Sequence, residues 1–280
     1  MNDYIITEAS VNKYRNYLVK NEKRELTIEK YIRDLQKFKD FLGERGITKE
    51  ILIEYKEVLE ESYSINSVNS MLSAINSYLD YMGYSQYKVK FLKQQRRVYC
   101  PEEKELTKEE YFRLVYTARQ KENERLCLVI QTICSTGIRV SELAYVTVEA
   151  VEKGEIVVKC KGKYRQVFMP QKPREQILQY INQNSIREGQ VFLTKGGKGL
   201  DRSNIWRGMK RLCHEAGVPE SKVFPHNLRH LFARTYYTME KDIAKLADLL
   251  GHSSIDTTRI YIMTSGEEHR KQMEEMKLIL

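Results

Sequence analysis

Apolar residues return at intervals of three and four along most of this chain, and that spacing commits it to helices. In ELTIEKYIRDLQKFKDFLGERG (25–46) the apolar side chains Ile28, Tyr31, Ile32, Leu35, Phe38, Phe41 and Leu42 fall on one face, and Gly43 and Gly46 end the run. The same reading predicts helices near 7–20, over about 48–61, and over SVNSMLSAINSYLDYMG (67–83), which again closes on a glycine. Residues 1–84 therefore read as a small all-helical domain.

The pattern then breaks. SQYKVKFLKQQRRVYCP (85–101) carries Lys88, Lys90, Lys93, Arg96 and Arg97 and no acid, and Pro101 closes it. It reads as a basic interdomain linker over 85–103, with a second domain over 104–280. TKEE (107–110) has the spacing of a capping box and opens that domain on a helix. One β interruption follows: GEIVVKCKGKYRQVFMP (154–170) holds two β-rich runs, Glu155–Cys160 and Tyr164–Met169, around the short turn KGK. Farther on, Pro225 is placed for the first turn of a helix through PHNLRHLFARTYY. The expected fold is mainly α with a small antiparallel sheet, in two domains.

The formal net charge of +9 raises the expectation of a polyanionic partner, usually nucleic acid. No apolar run reaches the ~20 residues that span a bilayer, and MNDYIITEASVNKY has no signal-peptide pattern, so a cytoplasmic protein is expected. Cys100, Cys127, Cys134, Cys160 and Cys213 are scattered, without a CxxC pair, and the histidines His214, His226, His230, His252 and His269 form no HExxH. That spacing favours neither a disulfide framework nor a metal site. GGKG (196–199) is not a P-loop, because no Gly-Lys-Ser/Thr ending opens a helix there. Neither a metal nor a cofactor is expected.

Four pieces of the second domain carry basic or nucleophilic groups. STGIRVSEL (135–143) sets Arg139 two residues after a glycine, at a helix entry, with Glu142 three residues on. The KGK turn offers Lys161 and Lys163, and HNLR puts His226 and Arg229 on one helix face. LLGHSSIDTTRIYI (249–262) contains His252 and then Tyr261 between two isoleucines. Each alone has an ordinary reading: an arginine paired with a glutamate, solvated turn lysines, a tyrosine in a core.

Together and in this order, TGIRVSEL, KGKYR after a strand, PHNLRHLFA and LLGHSSIDTTRIY resemble the signature blocks of the tyrosine recombinase (integrase) family, most closely its compact two-domain Xer-type members. The resemblance extends to ITEASVNKYRNYL and LTIEKYIRDLQKFKDFL, which look like the family's helical, SAM-like core-binding domain. It implies Tyr261 as nucleophile, Arg139 and Arg229 on the scissile phosphate, and His226 and His252 assisting, with His226 in proton transfer. Lys161 maps onto the family's hairpin lysine, and Glu142 onto an acid that buttresses the site.

The implied function is site-specific recombination, whether integration, excision, inversion or dimer resolution. A tyrosine oxygen attacks a phosphodiester and displaces a 5′ oxygen, and the 3′-phosphotyrosyl link is later reversed by another 5′-hydroxyl. Guanidiniums suit the charge that gathers on the phosphate oxygens. A phenol ordinarily ionises near pH 10, at about that value, so it needs a base or cationic surroundings. The implied partners are double-stranded DNA with an inverted-repeat core site and further copies of the chain, as a tetramer. An accessory factor or second recombinase is compatible with this.

The resemblance also implies that the C-terminal helix, with Met273, Met276, Leu278, Ile279 and Leu280, passes to a neighbouring protomer. DNA contacts are expected from the basic linker, from Lys163 and Arg165, and from Lys195, Lys198, Arg202, Arg207 and Lys210 in TKGGKGLDRSNIWRGMKRL. The alternatives are a type IB topoisomerase-like nicking-closing enzyme and a non-catalytic DNA-binding protein of the same fold.

Overall fold

A computed structural model describes residues 5–93, 105–160, 163–261 and 266–276. The chain divides into two compact units, Met1–Arg96 and Arg97–Leu280.

The first unit is built from α1 (Glu8–Lys20), α2 (Glu25–Leu42), α3 (Lys49–Ser62) and α4 (Ile65–Tyr81). Thr7 and Ser10 close a capping box at the start of α1, each side chain meeting the other's backbone N–H. The face read from the sequence of α2 is the buried one: Ile28, Leu35, Phe38 and Leu42 pack with Leu72, Ile75 and Leu79 of α4. Tyr14 and Tyr78 are fully buried edge to face, 5.1 Å between centroids, and each hydroxyl finds a serine, Ser77 at 2.9 Å and Ser10 at 3.0 Å.

The segment that follows is not free in its first half. A 3₁₀ turn at Ser85–Tyr87 leads into residues 88–93, and Val89 is buried in the helical core. The Asn76 amide accepts from Val89 N–H at 3.2 Å and donates to Val89 C=O at 3.0 Å. Asn69 does the same to Leu92, at 2.8 and 3.0 Å. Residues 94–103 of the expected linker lie outside the described residues.

The second unit runs α5 (Lys108–Gln120), α6 (Glu124–Thr136), a 3₁₀ helix (Val140–Tyr145), α7 (Val148–Lys153), β1 (Glu155–Cys160), β2 (Lys163–Phe168) and α8 (Gln171–Gln183). It continues through α9 (Arg202–Lys210), α10 (Cys213–Ala216), α11 (Pro225–Glu240), α12 (Ile243–Leu250), α13 (Ile255–Arg259) and α14 (Gly266–Glu275). Thr107 and Glu110 form the capping box expected at the start of α5.

Helix α6 buries Leu126 through Ile130, Thr132, Ile133 and Thr136 on all sides, and it packs against α5, α8, α9 and α11. A helix that is apolar all round belongs at the centre. The antiparallel hairpin pairs Glu155 with Phe168 through Cys160 with Lys163. Strand alternation turns Ile156, Val158 and Val167 inward and leaves Val157, Tyr164 and Phe168 exposed. Apart from the main core, Ala233, Leu246, Leu250 and Tyr261 form a small cluster between α11 and α12. No helix among the described residues is long and apolar enough to cross a membrane.

Candidate active site

Two glycine turns aim the site. Helix α6 ends at Gly137 in the left-handed region, φ 65° and ψ 14°. A Cβ there would stand 2.4 Å from Phe232 Cδ1, so neither the conformation nor the space admits another residue. Helix α12 ends at Gly251 with φ 64°, and a Cβ would meet Arg165 Cδ at 2.5 Å. Arg139 follows the first turn and His252 the second.

Arg139 caps the 3₁₀ helix. Its N–H donates to Glu142 Oε2 at 2.7 Å and its Nη1 to Glu142 Oε1 at 2.8 Å. Glu142 is buried, and Oε2 also accepts from Arg165 Nη2 at 2.6 Å. One buried carboxylate thus holds two guanidiniums, which leaves the group cationic while satisfying the acid. The Arg139 side chain keeps 35% of its surface exposed; Arg165 keeps 13% and donates its Nη1 to Leu249 C=O at 2.7 Å. Arg165, expected on DNA, is turned inward, because it shares the inner face of β2 with Val167.

Helix α11 opens with Pro225 at its first position and presents His226, Arg229 and His230. Arg229 is only 1% exposed. Its Nη1 donates to Gly137 C=O, and its Nη2 donates to Leu250 C=O at 2.6 Å and to His252 Nε2 at 3.0 Å. Both carbonyls belong to helix C-termini, whose unpaired acceptors and negative dipole ends suit a buried cation. Nε has no hydrogen-bond partner among the described residues. Burial, with the charge of Arg139 adding to it, pulls the Arg229 pKa down to about 10, so the guanidinium stays charged at neutral pH.

Tyr261 is 5% exposed, and its Oη lies 3.4 Å from His226 Nε2. Three imidazoles surround the phenol ring: His230 at 4.3 Å between centroids, His252 at 5.5 Å and nearly parallel, and His226 at 5.8 Å. Burial lowers the pKa of each, helped by neighbouring cations. His230 is pushed down to about 4 by burial, His226 and Arg229. His252 is pushed down to about 4 by burial and then Arg229, Arg139 and Arg165. His226, open to solvent along its rim, is lowered by partial burial and by Arg229, Arg139 and Arg202. All three are neutral near pH 7, so His226 is able to accept a proton.

The fold therefore gathers Arg139, Glu142, His226, Arg229, His252 and Tyr261 around one point. Lys161 lies outside the described residues, as do Arg96, Arg97 and the Lys163 side chain. Of the residues expected on DNA, Lys90, Lys93, Lys195, Lys198, Arg202 and Arg207 are exposed, and Arg202 is near enough for its charge to act on His226. Lys88 pairs with Asp80 at 2.5 Å. Lys210 donates to Glu220 C=O and stands 5.4 Å from the centroid of the Trp206 ring.

Sequence reasoning passed over His230 and Thr258. His230 is four residues after His226, a spacing that puts both on one helix face, so it was within reach. Thr258 stands in the polar run Ser253–Arg259 of LLGHSSIDTTRIYI, where no neighbour in sequence marks it out. In the structure that segment is the short helix α13, with Thr258 buried and its Oγ1 2.9 Å from His252 Nδ1.

The arrangement sets two guanidiniums, Arg139 and Arg229, beside a phenol with a neutral base. Comparison with known proteins agrees with that class. Residues 104–268 match the model of the phage integrase family, and residues 11–83 match its N-terminal SAM-like domain. The chain belongs to the phage integrase family. It is similar to tyrosine recombinase XerA of Pyrococcus furiosus, 32% identical over 183 residues, covering 63% of this chain and 63% of that relative's length.

Among solved structures, XerH recombinase bound to its difH substrate aligns over 91% of this chain and 80% of that one, with TM-score 0.70 and 21% identity. A lambda integrase dimer bound to a COC′ core site aligns over 93% and 96%, with TM-score 0.74 and 16% identity. These likenesses establish the two-part, mainly α fold with a small antiparallel sheet.

Proposed function

We propose that this protein is a site-specific DNA recombinase that cuts and rejoins strands through a 3′-phosphotyrosyl link. The observation that carries the reading is the Tyr261 hydroxyl 3.4 Å from His226 Nε2, beside the buried Arg229. In the forward step the Tyr261 Oη–phosphorus bond forms and the phosphorus–5′ oxygen bond breaks, while the phenol proton passes to His226 Nε2. Arg139 and Arg229 take the charge that builds on the non-bridging oxygens, aided by His252. Lys161, by its family resemblance, supplies the proton to the departing 5′ oxygen. Glu142 is the support that holds Arg139 in aim. A 5′-hydroxyl from another strand reverses the step, so no bond energy is lost to water.

The substrate is duplex DNA with an inverted-repeat core site, gripped by the exposed basic residues of both units, and the working form is a tetramer in the cytoplasm. Exchange of the C-terminal helix between protomers fits α14, whose Met273 and the following Met276 are each 60% exposed; Leu278, Ile279 and Leu280 lie outside the described residues.

The test begins by selecting bound duplexes from a randomised library. A nicked suicide duplex built on the selected repeat is then incubated with the protein and run on a denaturing gel. A protein–DNA adduct is expected from the wild type, and none from Tyr261→Phe, although that variant still binds. A bound duplex that gives no wild-type adduct favours a binding-only protein and ends this reading; relaxation of supercoiled DNA without strand exchange favours the topoisomerase-like one.

A further inference from the structure

We infer that Thr258 is a positioning residue that seats the tyrosine-bearing segment on the phosphate site by fixing the His252 ring. The inference rests on the reading of Tyr261 as nucleophile. Between Ser253 and Tyr261 every residue is exposed except Thr258, which is 0% exposed, and Tyr261 itself. The two are three apart and share one face of a turn. Helix α13 has only five residues, Ile255–Arg259, capped by Ser254, and so short a helix does not hold its shape alone. Its place depends on what these two side chains touch.

Thr258 touches both halves of the site. Its carbonyl accepts the Tyr261 N–H at 2.9 Å, and its Oγ1 lies 2.9 Å from His252 Nδ1. The proton on that second bond can be assigned from chemistry. Arg229 Nη2, 3.0 Å from His252 Nε2, carries only donors, so Nε2 must be bare. The neutral ring then holds its proton on Nδ1, which donates to Thr258 Oγ1. A directed chain results: Arg229 donates to His252, His252 donates to Thr258, and the Thr258 backbone receives Tyr261. The guanidinium that grips the phosphate and the segment that delivers the phenol are joined through one hydroxyl.

Threonine to valine keeps the shape and removes the acceptor. Nδ1–H then loses its acceptor while Arg229 still holds Nε2 bare, so the ring is anchored on one side only and no longer ties the tyrosine segment to the phosphate site. Thr258→Val is expected to slow adduct formation on the nicked duplex by about tenfold or more, with binding unchanged by mobility shift, while Thr258→Ser restores most of the rate. Thr258→Val cutting at the wild-type rate, or Thr258→Ser failing like Thr258→Val, overturns the inference. Absence of an adduct from the wild type counts instead against the recombinase reading.

A DNA-free measurement keeps the two apart. With ¹⁵N-labelled histidine and His252→Gln to assign the signal among five histidines, the wild type is expected to show His252 protonated on Nδ1 alone at neutral pH. In Thr258→Val the Nδ1 signal is expected to move, because the proton there has lost its acceptor while Arg229 keeps Nε2 bare. A wild-type ring protonated on Nε2, or an Nδ1 signal unchanged in Thr258→Val, refutes the role of Thr258 whatever the enzyme does to DNA.

Discussion

In the N-terminal unit Asn76 turns both atoms of its amide onto the backbone of Val89, and Asn69 does so to Leu92. In the C-terminal unit Arg229 donates to two helix ends and a histidine, and its Nε has no partner among the described residues. Both regions bury strongly polar groups, but the first set is neutral and closed. Each asparagine replaces one rung of a missing ladder, pairing one donor and one acceptor with the backbone it holds. The second set is charged and open: its cation is incompletely paired, and its acid is shared between two arginines. A closed polar network holds a chain in place. An open one keeps cationic donors for an anion, and under the function proposed above that anion is the scissile phosphate.

The largest expected effect tests the open side. Arg229→Lys keeps the charge but replaces a planar fork by a point, which cannot serve both carbonyls and His252 at once. Single-turnover adduct formation should fall about 10²–10³-fold, with the fold retained by circular dichroism. A loss under about tenfold would move Arg229 from the site to the scaffold. Glu142→Gln comes next. It removes the charge that holds Arg139 and Arg165 side by side, and breaking a buried pair in this way destabilises by about 3–5 kcal/mol. A fall in the melting temperature and a smaller loss of cleavage are both expected, and cleavage lost without any change in melting would show Glu142 acting on substrate directly.

The closed side predicts the opposite pattern. Asn76→Ala leaves the Val89 N–H and C=O without partners beside the helical core, at about 1–3 kcal/mol of stability. Cleavage measured per bound complex should stay within about twofold of the wild type. If Asn76→Ala stops cleavage in complexes that have formed, the segment 88–93 carries a catalytic duty and the contrast between the two regions dissolves.

How far the sequence disclosed this can be followed residue by residue. Helix faces, caps and the hairpin were legible because their causes are local: Thr107 sees Glu110 three residues away, and the buried face of α2 repeats every turn. Local alternation also contained what was overlooked, since Arg165 and Val167 had to share a face of β2, and His230 had to share one with His226. What could not be read was pairing across distance. Nothing near Val89 announces Asn76, so a segment held by two side-chain amides reads, from its lysines, only as a basic interdomain linker. The acceptors of Arg229 are backbone carbonyls of Gly137 and Leu250, and a carbonyl has no letter in the sequence. Thr258 was hidden for the same reason: its partner, His252, faces it only once Gly251 has turned the chain.

The smallest expected effect is the one that measures both regions at once. Every histidine of the chain, from His214 to His269, lies in the C-terminal unit. His230 and His252 are held near 4 by burial and cationic neighbours, against an ordinary value of 6.5. As pH falls below 6.5 the unfolded chain binds protons on these rings that the folded chain refuses, so stability is fully present above that value and is lost as pH falls toward 4. His230 alone should remove on the order of 1–2 kcal/mol between about pH 7 and 5, and the half-buried His252 less, because solvent screens it. Amide hydrogen exchange, corrected for the intrinsic rate, resolves the two units in one experiment. Protection in the C-terminal unit should fall over this range while the N-terminal unit, which has no histidine, holds. His230→Phe, which keeps a ring against Tyr261 but cannot take a proton, should flatten that fall. Equal decline in both units would mean that the imidazoles around Tyr261 are not kept neutral by the fold, and His226 would then lose its claim to the phenol proton.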